Sequence, residues 1–192
     1  MKLTVTGLPR LLPVLVGLLW FAAEVRRSTH RRREATTDDR GSRILVQAAA
    51  VTGAAAALVV TRLTPGKVLA TDPFVGWIGF GVLCSGVALR LWCFHTLGRY
   101  FTFSVETSTE QPVISAGPYR VLRHPSYTAT LLVVLGLGTL FANAWGMPVL
   151  AAVTLCGLAY RIRVEERALL ATMGQRYRDF AATRKRIIPY VW

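Results

Sequence analysis

Five long apolar runs, separated by polar and mostly basic segments, are the feature that most constrains how this chain can fold. They cover Leu8–Val25, Ile44–Thr61, Phe74–Phe94, Thr128–Ala142 and Gly146–Tyr160. A helix needs about 20 residues to cross the hydrocarbon of a bilayer, and the runs approach or reach that length. Lipid cannot satisfy backbone N–H and C=O groups, so such runs are expected to be helical. We therefore predict an all-α integral membrane protein with five transmembrane helices.

The basic residues predict the orientation of these helices. The chain carries a net charge of +13, which in a soluble protein would suggest nucleic acid. Because 53% of the residues are hydrophobic, a membrane surface is the favoured partner and nucleic acid is not expected. The loop after the first run, the long segment after the third and the C-terminal tail would share one face. That face holds most of the 23 Lys and Arg residues, so we predict that it is cytoplasmic. The Ala- and Arg-rich composition favours a prokaryotic inner membrane.

Two regions follow from this pattern. Residues 1–94 would hold transmembrane helices one to three, with a basic cytoplasmic loop at 26–43. The rest, 95–192, would comprise a connector (95–127), an antiparallel helical hairpin (128–160) and a cytosolic helical tail (161–192). The connector and tail are where we expect the functional site.

Several single residues have ordinary structural interpretations. The three cysteines, Cys84, Cys93 and Cys156, all lie in apolar runs, so we expect buried packing residues and neither a disulfide nor a metal site. Arg90, near the end of the third run, is expected to extend its side chain to the membrane interface. Tyr190 and Trp192 are expected to be interfacial anchors.

The first polar cluster, GPYRVLRHPSY, runs from Gly117 to Tyr127. Pro118 and Pro125 restrict the backbone, and His124 is biased to an extended conformation because a proline follows it. We predict an ordered loop that feeds the next helix and presents backbone groups and His124 at its N-terminus, where polar or anionic ligands bind well. An interfacial anchor made of ordinary arginines and tyrosines is the alternative.

The second polar cluster, RIRVEER, runs from Arg161 to Arg167. Arg161 and Glu165 are four residues apart and can therefore pair on one helical face. Either this is a surface ion pair of small value, or Glu165 holds a ribose or an ammonium group while Arg161 binds an acidic substrate. The planar fork of arginine suits a carboxylate. Neither cluster has the spacing of a metal site, a glycine-rich nucleotide loop or a Ser-His-Asp set.

Taken together, GPYRVLRHPSY, a helical hairpin and RIRVEERALLATMGQRYRDFAATRKRIIP resemble the isoprenylcysteine carboxyl methyltransferase family of integral membrane enzymes. The resemblance covers residues 97–192. It implies a methyltransferase that uses S-adenosyl-L-methionine without a Rossmann domain. In this family the connector and tail enclose the cofactor at the cytosolic face.

The resemblance also implies roles for particular residues. Arg161, with Arg99 as a second candidate, would hold the carboxylate of the substrate. The residues that would contact the cofactor are Glu106, Val113, Ile114, Tyr119, His124, Pro125, Ser126, Tyr127 and Glu165.

The implied reaction needs little acid–base chemistry. A carboxylate is ionised and nucleophilic at neutral pH, so catalysis would consist mainly of positioning. The acceptor would be a lipophilic molecule from the bilayer, isoprenoid-like or prenylcysteine-like. A phospholipid or amine acceptor would require a base, for which His124 is the candidate. An NADPH-dependent membrane reductase of the sterol-reductase type and a non-enzymatic membrane anchor remain alternatives.

Overall fold

The computed structural model describes residues 8–28, 36–37, 42–98, 106–107 and 112–192. These residues form six α-helices: α1 (Leu8–Ser28), α2 (Ser42–Leu63), α3 (Pro73–Leu97), α4 (Pro125–Gly138), α5 (Gly146–Met173) and α6 (Gln175–Ala182). Two short strands, β1 (Thr36–Thr37) and β2 (Glu106–Thr107), pair antiparallel. Short 3-10 helices lie at Leu69–Thr71 and Gly117–Arg120. The predicted all-α architecture is confirmed.

The described helices carry the apolar surface of an integral membrane protein. Three stretches are long and apolar enough to cross a bilayer, namely Ile44–Leu63, Pro73–Leu97 and Gly146–Met173. Leu11–Trp20 and Pro125–Gly138 are shorter apolar stretches. Large apolar side chains on several of these helices point outward, as contact with lipid requires. The membrane class is therefore confirmed, whereas the count of five spans stays a prediction.

Glycines set the close approach between α3 and α4. A methyl group added at Gly86 would lie 2.8 Å from the backbone nitrogen of Val133, and one at Gly136 would lie 2.6 Å from that of Leu83. Ordinary carbon contacts are near 3.5–4.0 Å, so only glycine lets these backbones approach so closely. On the other side of the bundle, a methyl group at Gly157 of α5 would lie 2.5 Å from Ala49 of α2. Both contacts fix the rotation of α4 and α5, and with it the direction of their polar residues.

Asn143 closes the end of the bundle opposite the polar clusters. It is fully buried between α4 and α5. Its Oδ1 accepts from the backbone N–H groups of Trp145 and Gly146, at 3.1 and 2.9 Å. Its Nδ2 donates to Thr64 Oγ1 at 3.1 Å, and its backbone N–H donates to Thr61 Oγ1 at 3.1 Å. Asn143 therefore caps the start of α5 and joins it to the end of α2.

At the other end, the first polar cluster joins the 3-10 helix Gly117–Arg120 to the start of α4, and the second lies within α5. His124, with φ −127° and ψ 55°, is the N-cap of α4, and Pro125 takes the first helical position, where a missing N–H costs nothing. The α5 helix continues unbroken through RIRVEER to Met173 and ends at Gly174, whose φ of 55° is in the left-handed region. At 1.5 Å per residue α5 is about 42 Å long, so it extends beyond the hydrocarbon and carries the second cluster on its last turns.

The acceptors of Arg90 lie within the protein. It is buried between α3 and α4 and donates from Nη1 to the backbone carbonyl of Ser126 at 3.1 Å and to the Ser126 hydroxyl. Its guanidinium also lies 5.1 Å from the ring centroid of Phe94. Polar acceptors at the start of α4 satisfy Arg90 within the protein, and its position relative to the membrane interface stays a prediction.

Candidate functional site

The two polar clusters meet where α4 begins and α5 ends. Tyr127, in the first turn of α4, donates from Oη to Glu165 Oε2 of α5 at 2.5 Å. The same hydroxyl accepts a hydrogen bond from Arg161 Nε at 2.9 Å. One phenol thus links the guanidinium to the carboxylate one helical turn further along α5.

Arg161 is held from a third direction by the start of α2. It is only 6% exposed, and its Nη1 donates to Ser42 Oγ at 2.9 Å. Ser42 is fully buried. Sequence reasoning missed Ser42, because a serine that opens an apolar helix looks like an ordinary cap. Both of these partners are hydroxyl groups, and the two hydrogen bonds orient the Arg161 guanidinium.

His124 lies between two carboxylates. Its Nδ1 is 3.8 Å from Glu165 Oε2, its Nε2 is 3.4 Å from Glu166 Oε1, and its ring stacks on that of Tyr127. The Glu165 side chain is 29% exposed, whereas that of Glu166 is 10% exposed. The two neighbouring glutamates therefore differ in environment, since Glu165 borders the open side of the site and Glu166 faces the interior.

Glu166 is the centre of a buried ionic cluster that sequence reasoning also missed. Arg123 Nη1 lies 3.0 Å from its Oε1, and Nε and Nη2 of Arg186 lie 3.0 and 2.9 Å from its Oε2. Arg123 also donates to the backbone carbonyls of Arg184 and Ala181 at 2.8 and 2.7 Å. Hydrogen bonds between charged groups are about twice as strong as neutral ones. Glu166 thereby joins the connector, α5 and the tail.

Backbone pairing continues this connection. The amides of Arg123 and His124 donate to the carbonyls of Lys185 and Arg186 at 2.8 and 2.9 Å. Thr128 Oγ1 donates to the carbonyl of Ile187 at 2.7 Å. The tail residues after α6 therefore run along the loop that precedes α4 and hold His124 in place.

Tyr119 forms part of the inner wall beside this cluster. It is buried on the 3-10 helix, and its carbonyl accepts from Arg184 Nε at 3.0 Å. Burial raises the pKa of the Tyr119 phenol above its ordinary range, and the nearby Cys93 thiol and Glu165 carboxylate raise it further. Tyr119 is therefore a neutral hydrogen-bonding group at physiological pH.

An apolar surface adjoins these polar groups. Val113 packs against the buried side chains of Met173, Tyr177 and Phe180. Burial, and then the charges of the two glutamates, raise the pKa of Tyr177 above its ordinary range. This surface can contact an aromatic or aliphatic part of a ligand whose polar part reaches Glu165.

The remaining predicted residues have varied placements. Ile114 is half-buried in the connector, and Pro125 is buried at the start of α4. Ser126 is buried against Arg90. Of Glu106 only the backbone is described, paired with Thr37. Arg99 lies outside the described residues.

The described part of this region suits an organic ligand. It combines a partly exposed carboxylate, two tyrosines, a histidine, an apolar surface and a buried guanidinium. Among the residues that the structure describes, no group of three or more His, Cys, Asp or Glu side chains could hold a metal ion.

Fold and site define the class: a helical integral membrane protein with a polar site enclosed by helix ends and a folded tail. More particularly, residues 77–171 match the isoprenylcysteine carboxyl methyltransferase (ICMT) family. The resemblance inferred from the two polar clusters is confirmed by this match, which covers 95 of the 192 residues.

Two relatives illustrate the similarity. The chain is 29% identical over 120 residues to protein-S-isoprenylcysteine O-methyltransferase B of Arabidopsis thaliana, an alignment that covers 60% of this chain and 61% of the relative. It is 29% identical over 116 residues to protein-S-isoprenylcysteine O-methyltransferase of Tribolium castaneum, covering 59% of this chain and 41% of the relative. The chain thus spans less than two thirds of the length of these relatives.

The fold is also similar to a solved structure. The eukaryotic intramembrane Ras methyltransferase ICMT superposes with a TM-score of 0.64 at 24% identity, covering 98% of this chain and 64% of that chain. Helix order and packing are therefore shared along almost the whole of this chain, including the N-terminal helices that the family match does not cover.

Proposed function

We propose that this protein is a membrane methyltransferase that uses S-adenosyl-L-methionine to O-methylate the carboxylate of a lipophilic acceptor. The observation that carries the proposal is the hydrogen-bonded series Arg161–Tyr127–Glu165, which sets a buried cationic group beside a partly exposed carboxylate. The names of the relatives support an isoprenoid-like or prenylcysteine-like acceptor.

The residues present fit the cofactor. Glu165 is accessible enough to accept hydrogen bonds from ribose hydroxyls or to face an ammonium group, and Tyr127 orients its carboxylate. Val113 and the cluster around Tyr177 supply an apolar surface for the adenine ring. When bound, the cofactor supplies an electrophilic methyl group. We also assign cofactor contacts to Glu106, Ile114, Tyr119 and the His124–Tyr127 segment.

Arg161 would bind and orient the carboxylate of the acceptor. Its guanidinium is pre-oriented by Ser42 and Tyr127, so little side-chain entropy remains to be lost when an acidic group binds. The acceptor carboxylate is ionised at neutral pH and needs no general base. Positioning therefore accounts for the rate, and His124 contributes through its place between the two glutamates and its contact with Glu166. Arg99 is retained as a second candidate for the acceptor.

The acceptor would enter from the bilayer between helices, and the cofactor from the aqueous face that carries the tail. We assign that face to the cytoplasm because it carries the basic tail, and because the positive charge of residues 26–43 predicts a cytoplasmic loop. The composition favours the inner membrane of a prokaryotic cell.

Calorimetry of the protein in lipid nanodiscs with S-adenosylhomocysteine tests the cofactor site. We expect the wild type to bind, and Glu165→Ala to weaken binding at least tenfold, or about 1.4 kcal/mol. Asp179→Asn, on the exposed surface of α6, is the matched control and should bind as the wild type does. Absence of binding by the wild type would refute the proposal, and saturable binding of NADPH instead would favour a reductase.

Methyl transfer to an amine-blocked S-farnesylcysteine tests the acceptor site. We expect Arg161→Ala to keep its affinity for S-adenosylhomocysteine and to lose turnover of this carboxylate. Normal turnover by Arg161→Ala would exclude the role proposed for Arg161.

A further inference from the structure

The last residues of the chain form a closed turn that the site does not use. We call Ile187–Trp192 the C-terminal turn. The amides of Ile187 and Ile188 donate to the carbonyl of Trp192 at 2.9 and 2.8 Å, and those of Val191 and Trp192 donate to the carbonyl of Ile188 at 3.2 Å. Four backbone hydrogen bonds thus give this short segment a defined shape.

The turn presents apolar side chains outward. Tyr190 is 94% exposed and Val191 is 69% exposed, while Ile188 is 41% exposed. Tyr190 also has a φ of 64°, which is uncommon for a bulky residue. Exposing such a group of side chains to water would be unfavourable, at about 25 cal/mol per Å² of apolar surface. A contiguous exposed apolar group of this kind indicates a partner.

The depth of the turn identifies that partner. The carbonyl of Ile187 is bound by Thr128 in the first turn of α4, and the preceding residue, Tyr127, contacts Arg161 of α5. Exposed Trp145 at the other end of α5 is typical of a membrane interface. The helix from Trp145 to Arg161 rises about 24 Å, and bilayer hydrocarbon is about 30 Å thick. Arg161 would therefore lie within about 6 Å of the second boundary of the hydrocarbon, which puts the C-terminal turn near that boundary.

The charges beside the turn fit the same partner. Lys185 is exposed immediately before the turn, and the Arg186 guanidinium lies 5.5 Å from the ring centroid of Trp192. Basic groups next to aromatic and aliphatic side chains match the order of phosphates and acyl chains in a lipid surface.

We propose that the C-terminal turn inserts into the lipid surface on the face that carries the site. Tyr190 and Val191 occupy the boundary between headgroups and acyl chains, and Lys185 faces the phosphates. Because Arg186 binds Glu166 and its carbonyl accepts from the His124 amide, this contact anchors the segment that holds His124. The proposal does not depend on the reaction that the site performs.

Depth-dependent fluorescence quenching tests the insertion. The exposed and half-buried cysteines are first removed by Cys84→Ala and Cys156→Ala, which leaves only the buried Cys93. Tyr190→Cys is then introduced, and the new thiol is labelled with an environment-sensitive nitrobenzoxadiazole. Arg178→Cys, on the exposed face of α6, is the water-facing control. With one protein per nanodisc of phosphatidylcholine and phosphatidylglycerol, we expect lipids with a shallow nitroxide to quench the label at 190. We expect aqueous iodide to quench it at least about threefold less than the label at 178.

Two results would overturn the proposal. Equal iodide quenching at both positions would show that the turn faces water. Protection of the label at 190 only in discs that hold two copies would show that a second copy of the chain covers the turn. If Tyr190→Cys does not fold, the neighbouring exposed Val191→Cys gives the same measurement.

Discussion

Replacing Glu166 should lower the stability of the protein, whereas replacing the adjacent Glu165 should weaken cofactor binding, and Glu166→Ala is the more informative change. The Glu166 side chain is only 10% exposed, and its carboxylate lies within 3.0 Å of both Arg123 and Arg186. Removing one member of a buried ionic cluster costs about 3–5 kcal/mol, because the partners keep their charges without compensation. Since the Arg186 side chain is 34% exposed and water can partly replace the lost carboxylate, we expect about 2–4 kcal/mol.

Two measurements check this magnitude. Reversible denaturation in mixed micelles should show the loss of unfolding free energy. Hydrogen exchange should accelerate at the amides of Arg123 and His124, which donate to the tail, while amides in the middle of α3 change little. The isosteric Glu166→Gln should fall between the wild type and Glu166→Ala, because an amide oxygen still accepts one of the hydrogen bonds.

Glu165→Ala is the matched control for Glu166→Ala. Its side chain is 29% exposed and borders the proposed cofactor, so we expect near-normal stability and weakened binding of S-adenosylhomocysteine. The reasoning fails if Glu166→Ala leaves both stability and exchange of these amides unchanged. It also fails if Glu165→Ala destabilises the protein as much as Glu166→Ala does.

Three further predictions concern positioning, packing and pH. Ser42→Ala should raise the KM of a carboxylate acceptor by about tenfold, because Arg161 loses one charged hydrogen bond. Ser42→Thr should recover part of this loss, and the affinity for S-adenosylhomocysteine, measured by calorimetry, should not change. An unchanged KM would exclude this role for Ser42. Gly136→Ala should destabilise the bundle by about 1–3 kcal/mol in thermal unfolding, because the added methyl group would lie 2.6 Å from the facing backbone. Gly81→Ala is the control and should not destabilise it, because a methyl group there would have nothing within 4 Å. Burial raises the pKa of Tyr177 above its ordinary value of 10.0, so the neutral phenol is favoured in the folded protein. The stability that this preference contributes should be fully present below pH 10 and should decline as the pH rises further. Tyr177→Phe should flatten that decline when the free energy of unfolding is measured against pH.

Local sequence indicated the N-terminus of α4 to within three residues, because the apolar run predicted a start at Thr128 and the helix begins at Pro125. The earlier start agrees with the preference of proline for the first helical position and with its restriction of the residue before it. The four-residue spacing of Arg161 and Glu165 likewise placed them on one helical face. Sequence reasoning could not predict that the Tyr127 hydroxyl joins these two residues, because that contact depends on how α4 is rotated against α5.

Arg90 and Ser42 make contacts that local sequence could not indicate. An arginine near the end of an apolar run has two ways to avoid lipid, which are to reach the interface or to find an acceptor on another helix. Hydropathy does not distinguish them, and the structure shows the second, because the start of α4 lies beside Arg90. Ser42 lies far from Arg161 in the chain and opens a different helix, so nothing local indicated that its hydroxyl would orient the guanidinium.

The sequence by itself determined the class of protein and the places where its helices begin. Burial of apolar runs, the charge of the loops and the restrictions of proline and glycine act within a few residues, and they can be read without coordinates. Only the tertiary structure decided which of the two glutamates borders the site and which binds the arginines. One residue of separation turns a helical side chain by about 100°, so the same carboxylate chemistry faces the site at Glu165 and the arginines of the connector and tail at Glu166.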